Sequence, residues 1–313
     1  MRETFHEFYG YRIACTAPAD AEPVVRRLFG PPSAPAPHAP WSGADTIRLS
    51  FEITDVDHDA VPPPYFPPHW DTRDEIVLDT RSSTATVSLA ARAVHVRLAR
   101  SDLGNPIVWG RWLVEKAFLI MTLRSNRHYG LHAGALEVEG RGALVTADSG
   151  VGKSTFTAWG LFQGATFIGE DAMMRHIEDP EDRFWGYPRC GYLDPAVAKT
   201  RPELADAPAA PVPARDKCRL EWPASFEERL VTAVRPHALL ILTRDHQEIR
   251  PVGVDEVVEL CRSDFEAGKL RAEDRALAED DLRARLASMA LLEFGLSSDL
   301  KANYARLATT LQA

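Results

Sequence analysis

The stretch Leu144-Val145-Thr146-Ala147-Asp148-Ser149-Gly150-Val151-Gly152-Lys153-Ser154-Thr155 constrains this chain more than any other. An apolar β-type run enters a turn of small residues that ends in Gly-Lys-Ser. A helical pattern, Thr155-Phe156-Thr157-Ala158-Trp159, follows at once. Strand, loop and helix N-terminus in that order are what a phosphate-binding P-loop requires. Gly150 and Gly152 can turn backbone N–H groups toward phosphate oxygens, because glycine reaches positive φ without a Cβ clash. Asp148 to Thr155 are therefore the expected nucleotide contacts. The Lys153 ammonium reaches the β and γ phosphates, and the Ser154 hydroxyl ligates Mg²⁺. Ala147 stands where the motif's first glycine is expected.

Length and charge narrow the rest. The 313 residues suit one large or two ordinary domains, and 45% hydrophobic residues supply a sizeable core. A net charge of −9 argues against a general nucleic-acid binder. No apolar window is long enough to cross a membrane, and the N-terminus, Met1-Arg2-Glu3-Thr4-Phe5-His6-Glu7, lacks the apolar run of a secretion signal. Cys15, Cys190, Cys218 and Cys261 are scattered without a CxxC pair, as expected of reduced thiols in a cytoplasmic protein.

Residues 1–104 are expected to form a β-rich region that selects substrate or plays a structural part. Tyr9 to Cys15, Thr46 to Ile53, Glu75 to Leu78, Thr84 to Leu89 and Ala93 to Leu98 are strand patterns, and Ala21 to Phe29 is helical. Two proline clusters, 31–37 and 62–68, punctuate it; His58, His69 and Trp70 are surface or packing residues. Pro106 to Arg124 is a helix with apolar residues on more than one face, hence buried. Tyr129 to Val138, the turn Glu139-Gly140-Arg141-Gly142 and the P-loop strand form a hairpin, with His132 in its first strand. After the P-loop helix, Gly164 to Gly169 is an apolar strand ending in Glu170-Asp171. Met173 to Ile177 pairs with Phe184 to Tyr187, and Pro195 to Pro213 reads as a loop or lid. Ala238 to Thr243 and Met289 to Leu296 are strands. Asp255 to Arg262, Leu277 to Leu286 and Tyr304 to Leu311 are helices.

Three features in register, Leu131-His132-Ala133-Gly134, the P-loop, and Gly169-Glu170-Asp171, resemble the HPr kinase/phosphorylase-related kinases. The resemblance covers roughly residues 125–245. It implies an α/β fold: a phosphoenolpyruvate-carboxykinase/HPr-kinase-like P-loop domain with a mixed sheet over 105–313, beside the β-rich 1–104. It also implies an ATP- and Mg²⁺-dependent kinase acting on a hydroxyl, in that family a protein serine. By the resemblance, Glu170 is the general base, Asp171 lies near the metal, and His132 hydrogen-bonds the acid or a phosphate. Gly186-Tyr187-Pro188-Arg189-Cys190-Gly191-Tyr192-Leu193-Asp194 loosely resembles a further family signature in which Arg189, one glycine and Asp194 survive. That places Arg189 in the catalytic set. Tyr187 stands near the position of the family's metal-associated glutamate, and Glu170 replaces an aspartate. The divergent branch that includes kinases of ribosomally made peptides, such as lasso-peptide precursors, is the better match.

Read without the family, phosphoryl transfer asks for charge neutralisation and a carboxylate aimed at the acceptor hydroxyl. Adjacent carboxylates on a regular strand point to opposite faces, so Glu170 and Asp171 would divide the labour. His132 alone reads as a satisfied core histidine. Arg189, Arg215, Arg219 and Arg244 are candidate phosphate clamps, and Arg215-Asp216-Lys217 could close over phosphates. Leu239 to Asp245 is a rival metal strand. The expected activity is transfer of a γ-phosphate to a serine-type hydroxyl of a peptide or protein, without nucleic-acid or membrane partners. A homo-oligomer stays open. A small-molecule hydroxyl kinase and a nucleotide-binding regulator with little turnover are the alternatives.

Overall fold

The computed structural model describes residues 2–30, 46–55, 59–63, 74–124, 127–213, 215–266, 270 and 272–312. The proline run at 31–37, residues 64–68 of the second cluster, and His58, His69 and Trp70 lie outside the described residues. The architecture is mixed α/β.

Six strands build the N-terminal sheet: β1 (Arg2–Phe8), β2 (Tyr11–Ala17), β3 (Ile47–Thr54), β4 (Glu75–Asp79), β5 (Thr84–Ser88) and β6 (Ala93–Ala99), in the order β1-β2-β3-β6-β5-β4. The strand expected from Tyr9 starts at Tyr11, because Tyr9 (φ 48°) and Gly10 (φ 78°) form a two-residue hairpin turn that pairs Phe8 with Tyr11. Residues 2–8, unassigned in the sequence reading, are its antiparallel partner. Helix α1 (Glu22–Phe29) links β2 to β3, which run parallel, and buries Val24, Val25, Leu28 and Phe29. The chain from Ile107 to Val114 winds as a wide π-helical turn and continues as α2 (Glu115–Arg124). Both segments are buried on several faces, as their all-round apolar sequence demands.

The later elements are β7 (His128–Leu131), β8 (Gly134–Val138), β9 (Arg141–Ala147), α3 (Lys153–Phe162), β10 (Thr166–Gly169), β11 (Met173–His176), β12 (Phe184–Trp185), β13 (Cys190–Leu193), α4 (Pro195–Lys199), β14 (Ala209–Pro211), β15 (Cys218–Glu221), β16 (Ala233–Val234), β17 (Pro236–Thr243), β18 (Ile249–Pro251), α5 (Val254–Glu266), α6 (Ala272–Leu286), β19 (Ala290–Gly295) and α7 (Leu300–Gln312). The central sheet runs β10-β8-β9-β17-β19-β18, with β9, β17 and β19 mutually parallel and the others antiparallel to their neighbours. Its parallel strands are nearly all apolar because helices cover them. Two smaller sheets, β16-β12-β11-β7 and β13-β15-β14, stand beside it.

Two expectations need correction. The strand Tyr129–Val138 is broken at His132–Ala133, where Ala133 N–H donates to the Leu131 carbonyl at 2.8 Å. β7 then joins β11 while β8 joins β9, so His132 lies at a junction between two sheets rather than inside a hairpin strand. Pro195–Pro213 is not a featureless lid. Asp194 caps α4 by accepting from Ala196 N–H at 2.7 Å, Leu204 is buried, and β14 pairs with β15.

One hydrophobic core joins residues from both sides of the expected boundary at 104/105: Phe8 and Leu28 share it with Phe118, Tyr129, Met173 and Val257. Tyr187 reinforces the join, donating its hydroxyl to the Leu28 carbonyl at 2.8 Å and stacking on Phe8 at 4.7 Å. A second core, with Val145, Phe156, Leu240, Phe294 and Leu307, seats α3 and α7 against the central sheet. Full burial of a side chain such as Phe156 contributes about 2–3 kcal/mol, which anchors the helix whose first turn faces the site.

Candidate functional site

The loop after β9 carries two left-handed glycines, Gly150 (φ 89°) and Gly152 (φ 121°), and delivers the chain into α3 at Lys153. Gly152 offers no side-chain cap, so the first amides of α3 remain available to an anion. Asp148, Ser149 and Gly150 are exposed, and Thr155 is half-buried in the helix's first turn. Arg244, at the end of β17, donates through Nε to the Val151 carbonyl at 2.8 Å and packs against Gly152. It braces the loop from outside.

A narrow, partly open cleft lies beside the start of α3, lined by Arg111, Ser154, Glu170, Asp171, Tyr192, Val212, Arg215 and Lys217. Both carboxylates line it, contrary to the opposite-face expectation. The reason is local: β10 ends at Gly169, and Asp171 takes φ 73°, which rotates the second carboxylate back toward the first. A left-handed non-glycine residue costs about 1 kcal/mol or more. Two bonds hold it there: Ala172 N–H donates to the Glu170 carbonyl at 2.9 Å, and His132 Nδ1 donates to the Asp171 carbonyl at 2.9 Å. The donating tautomer of His132 is assigned from that carbonyl acceptor.

Electrostatics separate the two acids. Glu170 is buried; its Oε1 accepts from Tyr192 N–H in a short hydrogen bond, and its Oε2 has no partner among the described residues. Burial first, then the Asp171 charge, pushes its carboxyl up to about 7 against the opposing pull of Tyr192 N–H and Lys153. Desolvation acts on Asp171 in the same direction, but Lys153, His132, Arg111 and Arg215 together outweigh it and hold Asp171 below the ordinary range. Its side chain is 44% open to the cleft, with His132 Nδ1 at 3.3 Å and Arg111 Nη2 at 3.8 Å. Lys153 is 7% exposed, its Nζ lacks a hydrogen-bond partner among the described residues, and burial lowers its pKa. Buried polar atoms left unpaired demand an explanation, and a ligand that arrives with both acceptor and donor groups is one.

Magnesium fits this donor set in one form only. Among the described residues no group of three or more His, Cys, Asp or Glu could hold a metal ion. Ser154 and Asp171 supply two oxygens, which suits an ion that arrives on phosphates rather than one held in a protein cage. Lys217 Nζ donates to Ser154 Oγ at 3.1 Å, placing a cation beside that hydroxyl.

The arginine expectations divide. Arg189 is not brought to the cleft: Nη1 pairs with Glu227 at 2.6 Å, and the guanidinium packs against Gly30 at the end of α1. Arg219 is fully buried between Glu115 and Glu221, at 3.0 Å from each. Arg27 completes that network, reaching Glu221 at 2.8 Å. Tyr192 ties it to the site, since its hydroxyl donates to Glu115 at 3.0 Å while its N–H holds Glu170. Of the four candidates only Arg215 lines the cleft. The rival strand end at Asp245 is exposed and absent from the lining. Tyr187, near the expected metal-associated position, faces α1 instead. Sequence reasoning missed Arg111, whose guanidinium lies 4.3 Å above the Tyr192 ring; it comes from a helical turn with no local motif to mark it.

No family model matches the chain, and no curated protein matches it. Among solved structures, the Hpr(Ser) kinase/phosphatase from Coxiella burnetii is similar over 58% of this chain and 95% of that one, at 11% identity and a TM-score of 0.31. The likeness is distant.

Proposed function

We propose that the cleft binds Mg–ATP and transfers the γ-phosphate to a serine-type hydroxyl, on a peptide or protein acceptor. The observation that carries this reading is a pair of buried groups without a hydrogen-bond partner among the described residues: the Glu170 Oε2, in the cleft, and the Lys153 ammonium at the start of α3, near enough that each charge acts on the other. Magnesium, held by Ser154 and Asp171, supplies charge neutralisation of the phosphates. Lys153 and the free amides of α3 fix the β and γ phosphates. Tyr192 N–H orients Glu170 so that Oε2 accepts the acceptor's proton as the new P–O bond forms and the bond to the β-phosphate oxygen breaks. A carboxyl poised near 7 is matched to that proton at neutral pH. His132 holds the turn at Asp171 rather than touching the reacting atoms.

The test uses labelled ATP and Mg²⁺ with the whole protein, candidate acceptors and water as the default acceptor. Lys153→Ala is expected to lose Mg–ATP binding. Glu170→Gln is expected to bind Mg–ATP and lose turnover by about 10²-fold or more. Unchanged nucleotide affinity in Lys153→Ala would overturn the phosphate site. Binding without any turnover in the wild type would identify a regulator instead.

A further inference from the structure

We propose that Glu115 is a positioning residue for the base Glu170. It anchors the Tyr192 side chain, and the Tyr192 N–H in turn holds Glu170 toward the acceptor hydroxyl. This rests on the phosphotransfer reading and deepens it.

The register of the small sheet β13-β15-β14 explains why the Tyr192 N–H reaches Glu170. On the β14 side of β15, the Lys217 carbonyl accepts from Val212 N–H at 2.9 Å, and Glu221 N–H donates to the Pro208 carbonyl at 3.0 Å. Hydrogen-bonding groups alternate between the two sides of a strand, so Arg219, midway between them, turns its own groups toward β14 as well. Tyr192 lies opposite Arg219 on the other flank. The two form a non-hydrogen-bonded pair, and the Tyr192 N–H points out of the edge of β13. An edge N–H in a buried place needs an acceptor, and Glu170 Oε1 is that acceptor. The Glu170 carboxylate has no other hydrogen-bond partner among the described residues. Its aim is therefore set by whatever fixes Tyr192.

The same pairing brings the Tyr192 and Arg219 side chains together on one face, at the closer of the two antiparallel spacings. Glu115 clamps both. Its Oε2 accepts from the Tyr192 hydroxyl at 3.0 Å, and its Oε1 accepts from Arg219 Nη2 at 3.0 Å. The wide helical turn that ends at Val114 brings Glu115 there, and Gly110 within that turn leaves the room. A Cβ on Gly110 would lie 3.2 Å from Glu115 Oε1 and 3.1 Å from Arg219 Nη2. Arg219 is fully buried and held on its other side by Glu221 at 3.0 Å, so the clamp rests on a fixed partner. Arg111 engages the same Tyr192 hydroxyl, lies 4.3 Å above the ring and lies 3.8 Å from Asp171. That second route leads to the metal and the phosphates, and its loss would be read in Mg–ATP affinity. Loss of the route through Glu115 leaves the phosphates alone and misaims the base, where a displacement of about 1 Å can cost on the order of 10²-fold in rate.

The experiment uses the whole protein, labelled ATP and Mg²⁺, with water as the default acceptor. Tyr192→Phe removes the hydroxyl and keeps the ring and the N–H. Turnover is expected to fall about tenfold or more, with Mg–ATP affinity unchanged. Glu115→Asp, which keeps the charge beside Arg219 but is too short to reach both partners, is expected to give the same pattern. Glu221→Gln weakens the ion network around Arg219 without touching the Glu115–Tyr192 link; it is expected to lose stability and keep turnover. In the Glu170→Gln background, Tyr192→Phe is expected to lower turnover no further, since both changes act through one group. Amide exchange reads the link without catalysis: the N–H of residue 192 is expected to exchange faster in Tyr192→Phe, with that of Leu193 unchanged. The inference is wrong if either Tyr192→Phe or Glu115→Asp turns over as wild type does, or if the loss tracks Mg–ATP affinity. It is equally wrong if Glu221→Gln loses turnover to the same degree, or if the Leu193 amide loosens as much as its neighbour. If the wild type binds Mg–ATP without any turnover, the phosphotransfer reading fails, and this inference falls with it.

Discussion

Glu170→Gln should change how stability depends on pH, by an amount that follows from burial. The folded protein raises this carboxyl from 4.5 to about 7. Between those values the folded chain holds a proton that the unfolded chain releases, so ionising Glu170 erodes stability as pH rises through that window. The penalty is absent below about 4.5, complete above about 7, and amounts to about 3 kcal/mol. Glutamine does not titrate. Its Oε1 still accepts from Tyr192 N–H, and its amide nitrogen sits at the unpartnered Oε2 position at the same cost at every pH. The stability difference between variant and wild type should therefore shift in the variant's favour by about 2–3 kcal/mol from pH 5 to pH 8. Urea unfolding of both proteins at pH 5, 6, 7 and 8 measures it. Two curves that stay parallel within about 0.5 kcal/mol would show that Glu170 is not held in the raised state and would remove its claim to a neutral-range base.

Arg219→Met should destabilise by about 3 kcal/mol in urea unfolding, because the half-buried Glu115 and Glu221 lose their shared cation and keep only Tyr192 and Arg27. Arg189→Ala should cost under about 1 kcal/mol and leave nucleotide affinity unchanged, because its partner is the half-exposed Glu227; a lost nucleotide affinity would return Arg189 to the site. Gly142→Ala should cost about 1–3 kcal/mol in the same unfolding assay. Its Cβ would lie 2.3 Å from Val234 and 2.6 Å from the Arg235 carbonyl, at the foot of the strand that leads to the loop.

The elements that sequence made legible share one property: their pattern is local. Apolar runs such as 238–243 and the Gly-Lys-Ser start of α3 need no distant partner to be recognised. β1 was overlooked because Arg2–Phe8 is mixed in composition, although Tyr9-Gly10 is the turn that pairs it. Around the cleft, the nearness of Ser154, Glu170 and Asp171 was readable from order along the chain, with Lys153 beside them at the start of α3. Arg111 was not, since its place depends on the ring of Tyr192. Arg189 was misplaced because Glu227 and Gly30, remote in sequence, decide where it points. The rule that neighbouring strand residues face opposite ways failed at Glu170–Asp171 because the strand had already ended.

The neighbours of β9 also set a schedule for synthesis. β8 precedes β9 across a tight turn, so that pair forms as soon as both have emerged. The other flank is β17, and the brace on Val151 is Arg244, just beyond it. Until residues 236–244 are made, the glycine loop hangs from a sheet edge with nothing behind it. Pairing across such a separation is slow. A nucleotide that recognises the finished loop would bind only chains that have passed this point, adding about 2.7 kcal/mol to them at a hundredfold excess over Kd. Under the phosphotransfer reading, the phosphate donor doubles as the ligand that ratifies folding.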